Sequence, residues 1–144
     1  MSGAWTQRPA AARQPFVLVD SAKSRKMQME QKILIIDDEQ PIIDAVETIM
    51  GDMGYDVQGF TDASAGIQAA IDIDFDLILV DVRMPEKNGA EVTAAIIEAK
   101  PEAKILIITA FPTDPFAKQA LDAGAKTIIK KPFEIGKVLD YLRN

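Results

Sequence analysis

The stretch Lys32-Ile33-Leu34-Ile35-Ile36-Asp37-Asp38-Glu39 decides how the rest of the chain is read. Four consecutive apolar residues are too few for a helix and leave no polar face, so they read as a strand covered on both sides. The run breaks abruptly into three acids. Runs of the same kind recur at 77–80, 105–108 and 127–129, each rich in Ile, Leu or Val. A further segment, 55–60, alternates Tyr55, Val57 and Gly59 with Asp56, Gln58 and Phe60, the pattern of a less buried strand at a sheet edge.

Between these runs the apolar spacing becomes helical. Ile42, Val46, Ile49, Met50 and Met53 share one period, and Gly54 follows where a helix would stop. Asp62 can cap a second helix reaching about residue 71. Val92, Ile96 and Ala99 mark a third that closes before Pro101, and Pro115 suits the first turn of a fourth ended by Gly124. Ile135, Val138, Leu139 and Leu142 stripe a fifth. Five βα units with right-handed crossovers imply an α/β fold: a doubly wound, flavodoxin-like (βα)5 parallel sheet of strand order 2-1-3-4-5. Such sheets bind ligands beyond the carboxyl ends of their strands.

Composition narrows the chemistry. The chain has no cysteine, which excludes disulfides and thiolate metal sites. It also has no histidine, which excludes Ser-His-Asp catalysis, imidazole ligands and a histidine phosphocarrier role. A net charge of −6 argues against a general nucleic-acid surface, and no apolar run is long enough to span a bilayer. Residues 1–31 stand apart. Arg8, Arg13, Lys23, Arg25 and Lys26 oppose the single acid Asp20 up to residue 26, and Pro9 and Pro15 interrupt any period. This stretch reads as a disordered tail with a short strand-like piece at 16–19. A mis-assigned start or added leader, suggested by Met27 and Met29, is the simplest account; a regulatory tail and a targeting segment are the alternatives. Residues 32–144 form the patterned domain.

The strand ends bring reactive groups to one edge of the sheet. Strand one ends in Asp37, Asp38 and Glu39, strand three in Asp81, strand four in Thr109, and strand five runs into Lys130, Lys131 and Pro132. Clustered carboxylates repel one another, and a hard divalent cation such as Mg2+ relieves that conflict. A carboxylate nucleophile, a metal, an amine and a hydroxyl suit phosphoryl transfer to an aspartate. A single acid beyond a strand would mean only that the chain meets water there; the coincidence at four strands is the signal.

At these residues the sequence resembles the receiver domain of two-component response regulators. The resemblance rests on the stretch from Ile33 to Glu39, on Asp81-Val82-Arg83-Met84-Pro85 with Gly89, on Thr109-Ala110, and on Lys131-Pro132-Phe133. It implies that Asp81 accepts the phosphoryl group. Mg2+ would be held by Asp37, Asp38, Asp81 and the backbone carbonyl of Arg83. Thr109 and Lys131 would stabilise the phosphoryl group and carry the switch. Lys130 and Lys131 compete for the amine's place, since neighbouring strand side chains face opposite ways. The family pattern, lysine before proline with a cis bond, selects Lys131. Pro85 and Gly89 shape the loop after the acceptor. Arg83 and Phe111, two residues beyond Asp81 and Thr109, occupy positions that tune dephosphorylation, and a bulky Phe111 would shield the site from water. The aromatic that usually swings inward is replaced by Ile128, so activation is read out some other way.

The resemblance implies a Mg-dependent signalling domain, not a turnover enzyme. Its donor would be a histidine kinase or histidine phosphotransfer protein, and its output a switched contact with a downstream protein. No nucleic-acid or membrane partner and a cytoplasmic location are expected. A homodimer through the fourth helix, fifth strand and fifth helix is open. The chain ends at Asn144, directly after the fifth helix, which suggests a stand-alone receiver. An aspartyl phosphatase of the haloacid-dehalogenase type is disfavoured because Glu39 stands where that class has its second aspartate. Flavin binding lacks a phosphate loop after strand one. A pseudo-receiver that binds without phosphorylation conflicts with the intact Asp37, Asp38, Asp81, Thr109 and Lys131.

Overall fold

The computed structural model of the protein describes residues 30–132 and 134–143. Strands and helices alternate: β1 (Lys32–Ile36), α1 (Gln40–Asp52), β2 (Asp56–Phe60), α2 (Ala63–Asp72), β3 (Leu77–Asp81), α3 (Gly89–Ala99), β4 (Ile105–Thr109), α4 (Pro115–Ala123), β5 (Thr127–Lys130) and α5 (Ile135–Arg143). The strands form one parallel sheet in the order β2-β1-β3-β4-β5, as expected from the sequence. Ile36 pairs with Phe60 and Val80, Asp81 with Ile108, and Thr109 with Lys130. The carboxyl ends of the strands therefore reach a common rim.

The strands β1, β3 and β4, apolar but for Lys32, Asp81 and Thr109 at their ends, occupy the middle, where helices cover both faces. Leu34, Ile36, Val80 and Ile107 pack toward α2, α3 and α4 with Val92, Ile96 and Ala117. Ile33, Ile35, Leu79 and Ile108 pack toward α1 and α5 with Ile43, Val46, Met50, Val138 and Leu142. Asp62 caps α2, its carboxylate accepting from Ala65 N at 2.8 Å. Gly124 follows α4 at φ 126°, a conformation that suits a residue without Cβ.

Two expectations are corrected. The buried stripe of α1 is Ile43, Val46 and Met50, whereas Ile49 and Met53 are 43% and 48% exposed. Apolar residues lie all along this helix, and the spacing alone admits two neighbouring stripes rotated by about one residue. Strand β5, expected to be covered on both faces, has Thr127 and Ile128 half-buried and Lys130 exposed. Among the described residues it lies at the sheet edge, with one neighbouring strand. Pairing also extends one residue upstream of β1, since Asp56 N donates to Gln31 O at 3.0 Å and Gln31 Nε2 to Leu142 O at 3.1 Å. The strand-like piece at 16–19 and the rest of 1–29 lie outside the described residues, as does Phe133 of the lysine-proline motif. Among the described residues no helix is long and apolar enough to cross a membrane.

Candidate functional site

The rim of the sheet carries the chemistry. Asp37, first after β1, is fully buried. Its backbone N donates to Phe60 O at 3.1 Å, and its Oδ1 accepts from Glu39 N at 2.9 Å, which fixes the side chain across the rim. Asp81 is the last residue of β3 and 7% exposed. Asp38 is exposed. One carboxylate oxygen from each of Asp37, Asp38 and Asp81 falls within 4.8 Å of the others.

Lys131 enters the same cluster. Its backbone N donates to Thr109 O at 2.8 Å, and the bond to Pro132 is cis. Its ammonium lies 2.8 Å from Asp37 Oδ2 and 3.6 Å from Glu39 Oε1, and it donates to Asp81 Oδ1 at 3.4 Å. Lys130 is exposed, and its backbone N donates to Glu134 Oε1. The amine in the cluster is thus that of Lys131. Thr109 is 5% exposed, and its Oγ1 accepts from Phe111 N at 3.0 Å. Asp38, Glu39, Asp81, Arg83, Thr109, Phe111 and Lys131 all line a cleft of about 340 Å³. Phe111 is 72% exposed at the cleft. A second recess of about 410 Å³, bordered by Phe75, Ile78 and Ala103, has only Lys100 as a cation, and that is tied to Asp74 and Ile73 O.

Burial and then the charge of Asp37 push the Asp81 carboxyl up to about 7, with Lys131 pulling the other way. Burial opposes the Lys131 ammonium, but Asp37 and Asp81 outweigh it and hold the lysine above its ordinary value. Several acids thus face one amine. Asp37 Oδ2 is buried, with the Lys131 ammonium 2.8 Å away as its counter-ion. Three carboxylates converging within 4.8 Å and sharing one ammonium are a hard-oxygen donor set that fits a divalent cation.

The loop after Asp81 is shaped by close backbone approach. Gly89 N donates to Val82 O at 2.7 Å, and a Cβ at Gly89 would stand 2.9 Å from Asp81 O. Asn88 caps α3 in a capping box with Glu91. The side chain of Arg83 turns to Asp114, its Nε donating to Oδ2 at 2.6 Å and a terminal nitrogen to Oδ1 at 3.2 Å. That pairing holds the Asp114 carboxyl below its usual range and raises Arg83. Asp114 was not among the expected site residues, although an acid directly before Pro115 at a helix start was a legible capping signal. Ile128 pairs with Ile107 and packs against the same core cluster as Phe116.

Residues 33–143 match the response regulator receiver domain. The chain belongs to this family. This receiver is 30% identical to the chemotaxis protein CheY of Thermotoga maritima, over 79% of its own length and 96% of that protein's. It is 31% identical to the transcriptional regulatory protein DltR of Streptococcus agalactiae, over 78% of its length, but spans only half of that relative. Among solved structures, a CheY-like receiver domain protein of Methanospirillum hungatei superposes with a TM-score of 0.74 at 27% identity, covering 80% of this receiver and 92% of that chain. The receiver domain of a sensor histidine kinase of Pseudomonas aeruginosa, described with a magnesium ion coordinated in its active-site cleft, gives 0.72 at 25% identity, covering 80% and 96%.

Proposed function

We propose that Asp81 of this receiver accepts a phosphoryl group from a phosphohistidine donor in a Mg-dependent reaction and so switches contacts with a downstream protein. The observation that carries the reading is the rim itself, where Asp37, Asp38 and Asp81 converge and Lys131 lies 2.8 Å from Asp37 and 3.4 Å from Asp81. A carboxylate oxygen of Asp81 attacks phosphorus. The O–P bond forms as the donor's N–P bond breaks, and the donor imidazole leaves with the electron pair. Lys131 sits where its ammonium can pair with the phosphoryl group or with the acceptor carboxylate. Thr109 offers a hydroxyl from the neighbouring strand end. Asp37, Asp38, Asp81 and the backbone carbonyl of Arg83 would hold the metal. When bound, Mg2+ supplies positive charge that offsets the negative charge gathering on the phosphoryl oxygens.

The donor is a histidine kinase or a histidine phosphotransfer protein; this chain, with no histidine, can accept from phosphohistidine but cannot become one. Its action is its own phosphorylation and dephosphorylation, not turnover of a substrate. Arg83 and Phe111 flank the cleft and tune the lifetime of the acyl phosphate. The test is intact-protein mass after incubation with acetyl phosphate, with Mg2+ or with EDTA. One added phosphoryl group that needs Mg2+ and is absent from Asp81→Asn is the expected result. An adduct that persists in Asp81→Asn would move the acceptor elsewhere.

A further inference from the structure

Arg83 stands two residues beyond Asp81 and lines the same cleft, yet its guanidinium is parked on the start of α4. Its fork grips the Asp114 carboxylate at 2.6 and 3.2 Å. The Oδ1 of that carboxylate also accepts from Phe116 N at 2.9 Å, and the guanidinium carbon lies 4.7 Å from the centroid of the Phe116 ring. Loops 31 residues apart in sequence are joined by these contacts. The two partners are unequal: the Asp114 side chain is 6% exposed and that of Arg83 is 65% exposed. The acid is covered in this pairing, whereas the base stands largely in solvent.

Withdrawal of Arg83 leaves Asp114 to the water of the cleft it lines and removes the tie between the acceptor loop and the first turn of α4. A phosphoryl group on Asp81 adds about one negative charge and three strong acceptor oxygens beside the loop that carries Arg83. A guanidinium recognises phosphate with the same fork it uses for carboxylate. We propose that Arg83 and Asp114 form a latch between the acceptor loop and α4. Asp114 holds Arg83 in the unmodified protein, and phosphorylated Asp81 draws Arg83 away and frees the start of α4. The latch rests on Asp81 being the acceptor. It makes Asp114 a positioning residue, and it links the site to α4 without passing through Ile128.

Amide hydrogen exchange across 113–118, measured with and without acetyl phosphate and Mg2+, tests the latch in the wild type, Arg83→Ala and Asp114→Asn. Asparagine keeps a capping oxygen for Phe116 N but loses the charge that grips Arg83, so it separates capping from latching. Phosphorylation of the wild type is expected to speed exchange in this turn by roughly tenfold. Both variants will exchange fast before phosphorylation and respond to it by less than about twofold. A full response in Arg83→Ala, or slow exchange in unmodified Asp114→Asn, would overturn the latch. Failure of the acceptor reading is separately visible in the intact mass, as no adduct on the wild type or as an adduct that persists in Asp81→Asn, and the latch would fall with it.

Discussion

At Asp81 burial and the neighbouring charge of Asp37 raise the carboxyl to about 7, whereas an ordinary aspartate stands at 3.8. The folded protein therefore holds this proton more tightly than the unfolded chain does. The stability it contributes is complete below the unfolded value and is lost as pH rises through about 7. Metal-free wild-type protein will be less stable at pH 8 than at pH 5 through this group. Asp81→Asn will flatten that slope, gaining about 1–2 kcal/mol at pH 8 after allowance for water in the open cleft. Urea melts at the two pH values check this, and parallel profiles for the two proteins would contradict it. The causes can also be separated. A carbon NMR titration of the Asp81 carboxyl will shift to lower pH in Asp37→Asn and to higher pH in Lys131→Ala, because the first removes a like charge and the second an opposite one. An unmoved midpoint in both variants would show that burial alone sets the value.

Each element places the rim by its ends more than by its middle. The capping box of Asn88 and Glu91 fixes the start of α3 just beyond the acceptor loop, and Asn88→Ala will cost about 1 kcal/mol in a thermal or urea melt. Gly89→Ala will cost more, about 1–3 kcal/mol, because the new Cβ meets the backbone of Asp81 and Val82, which cannot rotate away as a side chain could. It will also slow phosphoryl uptake from acetyl phosphate, since relief of the clash displaces Asp81. A variant as stable and as reactive as the wild type would refute both. Gly89 was legible in the sequence as a residue shaping the loop after the acceptor, whereas the Asn88 cap beside it was not read there. The strands β1, β3 and β4 were readable because sheet interiors demand uninterrupted apolar runs, and the rim acids because they follow those runs directly. Ile49 and Met53 misled because helical spacing gives a period but not which of two adjoining faces meets the sheet. Strand β5 misled because its composition is that of a covered strand while its place at the edge is set by topology. The pairing of Arg83 with Asp114 was hidden because it depends on the distance between two loops, which no local pattern encodes.

On the scale of the molecule, protection should follow position in the sheet. Amides of β1, β3 and β4 lie between paired strands and buried side chains, whereas β2 and β5 each pair with one strand among the described residues. Native-state hydrogen exchange will therefore be slowest in the three central strands, and β2 or β5 protected equally with them would argue against this sheet order as the stability hierarchy. Mg2+ at saturating concentration will raise the melting temperature, and by more at pH 8 than at pH 5, because binding competes with the proton on Asp81. An equal shift at both pH values would place the bound ion away from Asp81. The ammonium that Lys131 brings to Asp37 and Asp81 comes from just beyond the fifth strand, 50 positions after Asp81. As the chain leaves the ribosome, all three acids are made before the amine that compensates them. A nascent chain stopped short of residue 131 lacks both the Lys131 N–H that bonds Thr109 O and the only cation paired with Asp37 among the described residues. The rim can settle into its final charge balance only once Lys131 has been made, so the last part of this domain to be translated completes the site that the first part begins.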